Sequence, residues 1–528
     1  MVRQWFFGIA LVVVVVVGVV GWIWPPAWWS MVIFGPLILL GLRDAFQTRH
    51  TVLRNFPVIG HGRYLIEKVR PELQQYLIES NLDAYPIERE LRSLVYQRAK
   101  GQLETQPFGT QRDVYKPGYE WAAHATVPVP EMSEPPRMVI GGKDCSKPYS
   151  SSLLNVSAMS FGSISSHAIL ALNEGAREGG FAHNTGEGGI SRYHLEPGGD
   201  LIWQIGSGYF GCRTADGSFD SDQFAEKAAN ESVRMIELKL SQGAKPGSGG
   251  ILPGKKVTAE IAAARGLDVG QDSISPNAHS AFSTPREMMA FIARLRALSG
   301  GKPVGIKFCL GRIEDFMAMC RAMRDTGICP DFITVDGAEG GTGAAPLEFS
   351  NAMGMPKRDA LVLVHDVLMG VGLRDQVKVI ASGKIMSAFH MVRALALGAD
   401  ACNSARGMMF AMGCIQALRC NNNTCPTGIT TQNPALIKGL VVAQKAPRVQ
   451  RFHESTIAGL IKFLSAMGLQ DAGEVGPHHV YRRGTDLKAV SFAEIYTFFK
   501  HGQLLDSSEK TDTPLGRLWR QSSSDRWS

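Results

Sequence analysis

The stretch from Lys378 to Gly407, KVIASGKIMSAFHMVRALALGADACNSARG, reads as one complete strand–helix–strand unit. KVIASG (Lys378 to Gly383) is a β-branched run closed by glycine, Met386 to Leu397 has a helical pattern, and ACNSAR (Ala401 to Arg406) is a second short strand ending in a polar turn. The alternation extends backwards through VGIKFC (Val304 to Cys309) and FITVDG (Phe332 to Gly337), with helices over Ile313 to Arg324 and Asp359 to Val371. Earlier strands are expected at Leu154 to Met159 and Met235 to Leu240. A doubly wound sheet gives the same periodicity as a closed barrel. The polar and glycine-rich residues decide between them, because they fall at the C-terminal end of nearly every strand, where a (β/α)8 TIM barrel builds its site. The expected body is therefore an α/β barrel over residues 141–470.

Around that body the chain changes character. Trp5 to Trp24 is apolar without a break, and a second apolar run from Ala27 to Leu42 follows Pro25-Pro26. The first run is long enough for a bilayer core of about 30 Å, and the second is marginal without its flanks. A cleaved signal peptide would need a small-x-small site after the apolar run; a second hydrophobic run stands there instead. A transmembrane hairpin over residues 1–43 is the expectation. Arg3 precedes the first apolar run, and Arg43, Arg49, Arg54 and Arg63 follow the second, which places the catalytic body in the cytoplasm at the cell membrane. Residues 44–140 form a mixed, charged region with a helical stretch at Glu88 to Gly101 and a proline-rich linker, and carry no legible chemistry. Residues 471–528 read as a C-terminal tail. The net charge of +7 is scattered without a dense basic patch or interleaved aromatics, so nucleic acid is not an expected partner.

Three of the nine cysteines fall in the loop 414–432, CIQALRCNNNTCPTGITTQ. Soft thiolates converging from one short loop select zinc, copper(I) or an iron–sulfur cluster. A structural zinc site wants four ligands and tighter knuckles, and the loop offers no fourth, so a cluster on Cys414, Cys420 and Cys425 is the better reading. Three buried or free thiols are the alternative. The other six cysteines show no disulfide framework, which implies a reducing compartment.

Two motifs are discounted. Gly206 to Gly211 satisfies G-x-G-x-x-G but lacks the later acidic residue of a dinucleotide site. Gly249 to Lys255 reads G-x4-G-K, but Lys256 stands where a P-loop needs Ser or Thr.

The cysteine loop, with SAMSFGSIS (Ser157 to Ser165), NTGEGG (Asn184 to Gly189), QGAKPGSGG and LPGKK (Gln242 to Lys256), DGAEGGTGAAP (Asp336 to Pro346) and GADACNSARG (Gly398 to Gly407), resembles the synthase region of the glutamate synthases, in order over about 300 residues. The resemblance implies a barrel that binds FMN beside a [3Fe-4S] cluster on Cys414, Cys420 and Cys425. It implies that Lys245 and Arg265 meet 2-oxoglutarate and that Glu187 lies near the flavin and cluster, Lys245 and Glu187 being the catalytic candidates. Ser248 and Ile251 depart from the pattern, since those enzymes typically carry Glu and Gln there. The amidotransferase front end of full glutamate synthases is not seen, so ammonia or an amine is expected from solution or a separate subunit.

Barrels grip a cofactor phosphate with the loops after strands 7 and 8. Those would be Gly383 and Lys384, and Ala405, Arg406 and Gly407; ordinary barrel turns are the plain alternative, and the resemblance favours FMN. Lys307, in an otherwise buried strand, would aim its charge at the flavin, the alternative being a snorkelling lysine. Ser160 is a further flavin-contact candidate.

The expected activity is a membrane-anchored glutamate synthase-like oxidoreductase that reduces the imine of a 2-oxo acid. Its electrons would come from an external donor such as ferredoxin or a reductase subunit. Alternatives are a flavin and iron–sulfur electron-transfer or regulatory subunit, and an N-methylglutamate synthase-like subunit.

Overall fold

The computed structural model describes residues 2–506 and 513–527; Met1 of the expected hairpin and residues 507–512 and 528 of the expected tail lie outside the described residues. The chain divides into two compact units, Met1–Tyr85 and Pro86–Ser528.

In the first unit, helix Val2–Ile23 and helix Met31–Phe46 are joined by a 3-10 turn over Pro25–Ser30. Pro25 and Pro26 fix φ and lack an N–H to continue the first helix, so the second starts at Met31 rather than Ala27. The turn and second helix run together as a 22-residue apolar segment, Pro25–Phe46, and like the 22-residue Val2–Ile23 it is long and apolar enough to cross a membrane. Near its end lies Asp44, whose buried carboxylate accepts from the Val58 amide at 3.0 Å and lies 2.9 Å from His61 Nε2.

The second unit is built on a closed barrel of eight parallel strands. In chain order they are β1 Leu154–Val156, β2 His183–Asn184, β3 Leu201–Ile205, β4 Val233–Lys239, β5 Val304–Phe308, β6 Phe332–Asp336, β7 Lys378–Ser382 and β8 Ala401–Ser404. Closure comes from β8 against β1, with Cys402 opposite Leu154 and Ser404 opposite Val156. The barrel expected from the sequence is therefore the fold. Each expected strand is present, most of them one or two residues shorter, because the polar turn residues leave the ladder.

Side chains two apart on a strand share a face, and this builds the interior in layers. Glu237 of β4 is fully buried and accepts from Asn184 (2.8 Å), Gln204 (2.7 Å) and Thr334 (2.6 Å) of β2, β3 and β6. Two residues on, Lys239 of β4 and Asp336 of β6 stand at the C-terminal rim. Outside, helix Ser166–Gly179 starts at Ser165, whose hydroxyl caps the Ala168 amide at 3.2 Å, and buries Ile169 and Leu172. Each such aliphatic side chain contributes about 1.5–3 kcal/mol.

At the opposite rim Asp331, just before β6, pairs with Arg296 at 3.0 Å and accepts from the amides of Val304 (2.8 Å) and Gly142 (2.7 Å). Beyond the barrel, strand Glu120–Ala122 pairs antiparallel with Val480–Arg483, which pairs with Ala489–Ser491. Glu120 there receives three arginines: Arg358 at 2.5 Å, Arg393 at 2.7 Å and Arg482 at 2.8 Å. Helix Pro514–Gln521 lies on helix Ile313–Thr326, with Arg321 3.8 Å over the Trp519 ring.

Candidate functional site

The residues that end β2 and β4 meet around one carboxylate. Glu187 follows β2 in a glycine-rich turn; a Cβ at Gly206 would sit 2.7 Å from its carboxylate, so glycine is what lets the chain pass that close. Lys239 ends β4 and donates to Glu187 at 2.6 Å, with both side chains largely buried. Lys245, six residues further on, is buried and donates to the Gly249 carbonyl at 3.0 Å. Arg265, near the end of helix Ala259–Arg265, donates to the Phe161 carbonyl at 3.0 Å and to Ser273 at 3.1 Å, with Ser160 at 3.4 Å. The Arg265 Nε is buried without a protein acceptor.

Charge dominates this rim. Burial pushes the Glu187 pKa up, but Lys239, Arg265 and Lys245 together outweigh it and hold the carboxyl below its ordinary value. Burial, with Lys239 repulsion, lowers Lys245, and burial brings Arg265 down to about 10. Three cations thus face one carboxylate. Lys239 was not among the residues expected from the sequence; Lys245, Arg265, Glu187 and Ser160 were, and they come together here.

On the neighbouring strand, in register with Lys239, Lys307 of β5 lies 3.7 Å from Asp336 of β6, which also accepts the Gly243 amide at 2.9 Å. The expected phosphate loops follow β7 and β8. Gly383 has φ +118° and Lys384 takes a left-handed φ of 52°. Burial, with Arg406 repulsion, lowers Lys384. Arg406 donates to the Glu339 carbonyl at 2.8 Å, and Ala405 caps helix Arg406–Met412 with no side-chain acceptor. An anion would meet the start of that helix, the Lys384 turn and two cations, so these residues fit a phosphate. Gly407 has a packing role, since a Cβ there would lie 2.5 Å from Ser404 Oγ and 3.0 Å from Phe452. Lys357, buried and lowered by burial to about 8, donates to the Gly383 carbonyl and was also not foreseen.

The cysteine loop follows that helix. Among the described residues no three His, Cys, Asp or Glu side chains are set to hold a single metal ion. Cys414, Cys420 and Cys425 nonetheless lie within electrostatic reach of one another, burial pushing Cys414 up to about 12. Three thiols on one closed loop are the soft donors that an iron–sulfur cluster takes. The loop is held shut by its own polar groups: Asn423 accepts from Thr431 and from the Gln432 amide at 2.6 Å, and Gln432 donates to the carbonyls of Gly162 and Ile164 at 3.1 Å.

A closed parallel barrel with its polar and charged groups gathered at the C-terminal rim defines a (β/α)8-barrel enzyme. The profile of the conserved region in glutamate synthase matches residues 129–470, and the chain belongs to the glutamate synthase family of oxidoreductases. It is 39% identical to the glutamate synthase large subunit-like protein YerD of Bacillus subtilis, over 85% of this chain and 94% of that one. The archaeal glutamate synthase [NADPH] of Methanocaldococcus jannaschii is 34% identical over 63% of this chain and 62% of its own. The match therefore spans under two thirds of the archaeal enzyme. Among solved structures, a flavocytochrome b2 mutant with pyruvate bound matches at 12% identity and a TM-score of 0.40, over 81% of this chain and 87% of that one. The fold is defined by the pairing of the eight strands.

Proposed function

We propose that the chain is a membrane-anchored oxidoreductase that binds FMN at the barrel mouth and a [3Fe-4S] cluster on Cys414, Cys420 and Cys425, and reduces the imine of 2-oxoglutarate with ammonia, or a related amine, to glutamate. The observation that carries it is the convergence of Lys239, Lys245 and Arg265 on Glu187 at the rim. Three cations against one carboxylate leave a positive excess suited to a dicarboxylate, and charge-assisted bonds of that kind are each worth about 1.5–3 kcal/mol. Lys245 and Arg265 bind the carboxylates. Glu187 stays ionised and holds Lys239 and its neighbours in place. Lys245, its pKa lowered by burial and Lys239, can give its Nζ proton to the oxygen that leaves as water when ammonia condenses with the carbonyl. Lys384, Arg406 and the start of helix Arg406–Met412 would hold the FMN phosphate, with Lys307 beside the ring and the cysteines carrying the cluster. Bound there, reduced FMN supplies hydride and the cluster relays single electrons from an external donor such as ferredoxin or a reductase subunit. The apolar helices Val2–Ile23 and Met31–Phe46 would anchor the body at the cytoplasmic face, in keeping with the arginines that follow them.

The test is anaerobic purification, chemical reduction of the flavin, and a screen of 2-oxo acids with ammonia and amines for its reoxidation. Reoxidation by 2-oxoglutarate plus one of these amines, with the amino acid as product, is expected. A reduced flavin that ignores every pair, yet passes electrons to a protein or quinone acceptor, would replace this reading with electron transfer.

A further inference from the structure

Besides its two long apolar helices, the first unit holds a shorter one, Gly60–Leu73, that starts at the foot of the hairpin. Asp44, in the last turn of helix Met31–Phe46, ties it there through the Val58 amide and His61, and the His50 ring meets Tyr64 edge-on at 6.0 Å. The start of helix Val2–Ile23 is at the same place. A Cβ at Gly41 would run into the Phe6 ring and lie 3.0 Å from Val58, and the Phe7 and Phe46 rings are 6.1 Å apart. The shorter helix therefore begins where the chain both enters and leaves the hairpin.

Leu65, Ile66, Val69 and Leu73 are spaced by three and four along it and form one stripe. All four are exposed, Leu65 and Ile66 at 62%, and Tyr76, Leu77 and Ile78 carry exposed apolar surface into the following turn Gln74–Ile78. His61 and Tyr64, which tie the helix to the hairpin, stand to one side of the stripe. An isolated helix of 14 residues is marginal in water and takes its stability from burying such a stripe. Cations edge it on both sides: Arg63 and Arg70 lie three before and four after Ile66, and Lys68 lies three after Leu65. Arg63 meets Glu67 at 3.0 Å, an exposed pair too weak to keep it from other anions. From Arg43 to Leu73 the chain carries six Lys and Arg against three Asp and Glu, and one of those acids, Asp44, is buried.

We propose that helix Gly60–Leu73 lies in the lipid–water interface, its stripe among the upper acyl carbons and Arg63, Lys68 and Arg70 against anionic phosphate headgroups, a proposal that rests on the membrane reading of the hairpin given above. Asp44 and His61 hold the start of the helix to the end of the span, so the stripe meets lipid at the depth where the span leaves it. The chain then touches the bilayer in two ways, across it through apolar length and along it through charge. The second contact responds to lipid charge and to salt.

The experiment places one photoreactive benzoylphenylalanine per variant in the full chain, in vesicles of phosphatidylcholine with phosphatidylglycerol, and identifies the adducts by mass spectrometry after irradiation. Ile66→benzoylphenylalanine and Val69→benzoylphenylalanine are expected to yield lipid adducts, and Glu67→benzoylphenylalanine, on the opposite face, to lose them. Adding Arg63→Gln and Arg70→Gln to the Ile66 variant should lower its lipid yield, as should vesicles of phosphatidylcholine alone; an unchanged yield in both overturns the part given to the cations. Adducts from Ile66 to a second copy of the chain, or to another segment of its own chain, overturn the inference, as do equal lipid yields from Glu67 and Ile66. Val12→benzoylphenylalanine, in the middle of helix Val2–Ile23, separates the two readings. Lipid adducts at Val12 with none at Ile66 bring down the interfacial helix alone, and none at either position brings down the membrane reading itself.

Discussion

The two rims of the barrel treat buried charge in opposite ways. At the N-terminal rim Asp331 faces a single cation, Arg296, and its remaining oxygen valence goes to the backbone amides of Val304 and Gly142. At the C-terminal rim Glu187 faces Lys239, Lys245 and Arg265 at once. One-to-one pairing saturated by backbone closes a structure, because nothing further can bind without breaking it. A surplus of cations around one carboxylate does the reverse and leaves the rim suited to an anionic ligand. The same parallel strands therefore end in a latch on one side and a receptor on the other.

The largest effect is expected at the latch. Asp331→Ala would leave Arg296 buried without its counter-charge and two amides without an acceptor, at a cost of about 3–5 kcal/mol. Denaturant unfolding measures it, and turnover per folded molecule should stay near wild type. A loss below about 1 kcal/mol would mean the two rims do not differ as described.

Lys245→Ala reverses the pattern. Its removal should slow reoxidation of the reduced flavin by 2-oxoglutarate and ammonia by about ten- to a hundredfold, from the 1.5–3 kcal/mol of a charge-assisted bond, while the unfolding midpoint barely moves. Equal losses of stability and turnover would put Lys245 on the structural side of the comparison.

Per pH unit, the smallest effect comes from the interior histidines. Burial lowers His183 and His453 to about 3 and His279 to about 4, from an ordinary 6.5. Below about pH 6.5 the unfolded chain takes up protons that these folded side chains refuse. Stability therefore falls as the pH drops from 6.5 towards 4, by about 1.4 kcal/mol per pH unit for each such histidine. In unfolding measured between pH 6 and 5, His453→Gln should show a slope shallower by about one proton, and an unaltered slope would remove His453 from the account.

The sequence made β5 to β7 legible because each carries β-branched residues with a polar turn at its end, and β8, ACNS, because it lies between a helical pattern and the Ser404 to Gly407 turn. It did not reveal β2, which is two residues long and polar, since a ladder that short is set by its neighbours rather than by its own propensity. The omissions at the site have other causes. Lys239 sits in an apolar strand ahead of a glycine-rich loop, the same signal that drew attention to Lys307, and it could have been found by that argument. The Tyr96 hydroxyl donates to the Cys414 carbonyl across 318 positions of sequence, and no local pattern reports a contact of that span.

Glu120 bears on how this protein can be cut. It lies before residue 129, and one of its three arginines, Arg482, lies beyond residue 470, so the matched family region holds neither. A fragment trimmed to residues 129–470 would keep Arg358 and Arg393 facing each other with their common anion gone, and would lose the strand that Val480–Arg483 adds to Glu120–Ala122. The bounds of the matched family region and the bounds of an intact fold thus mark out different lengths of this chain, and expression trials would do better to follow the arginines than those bounds.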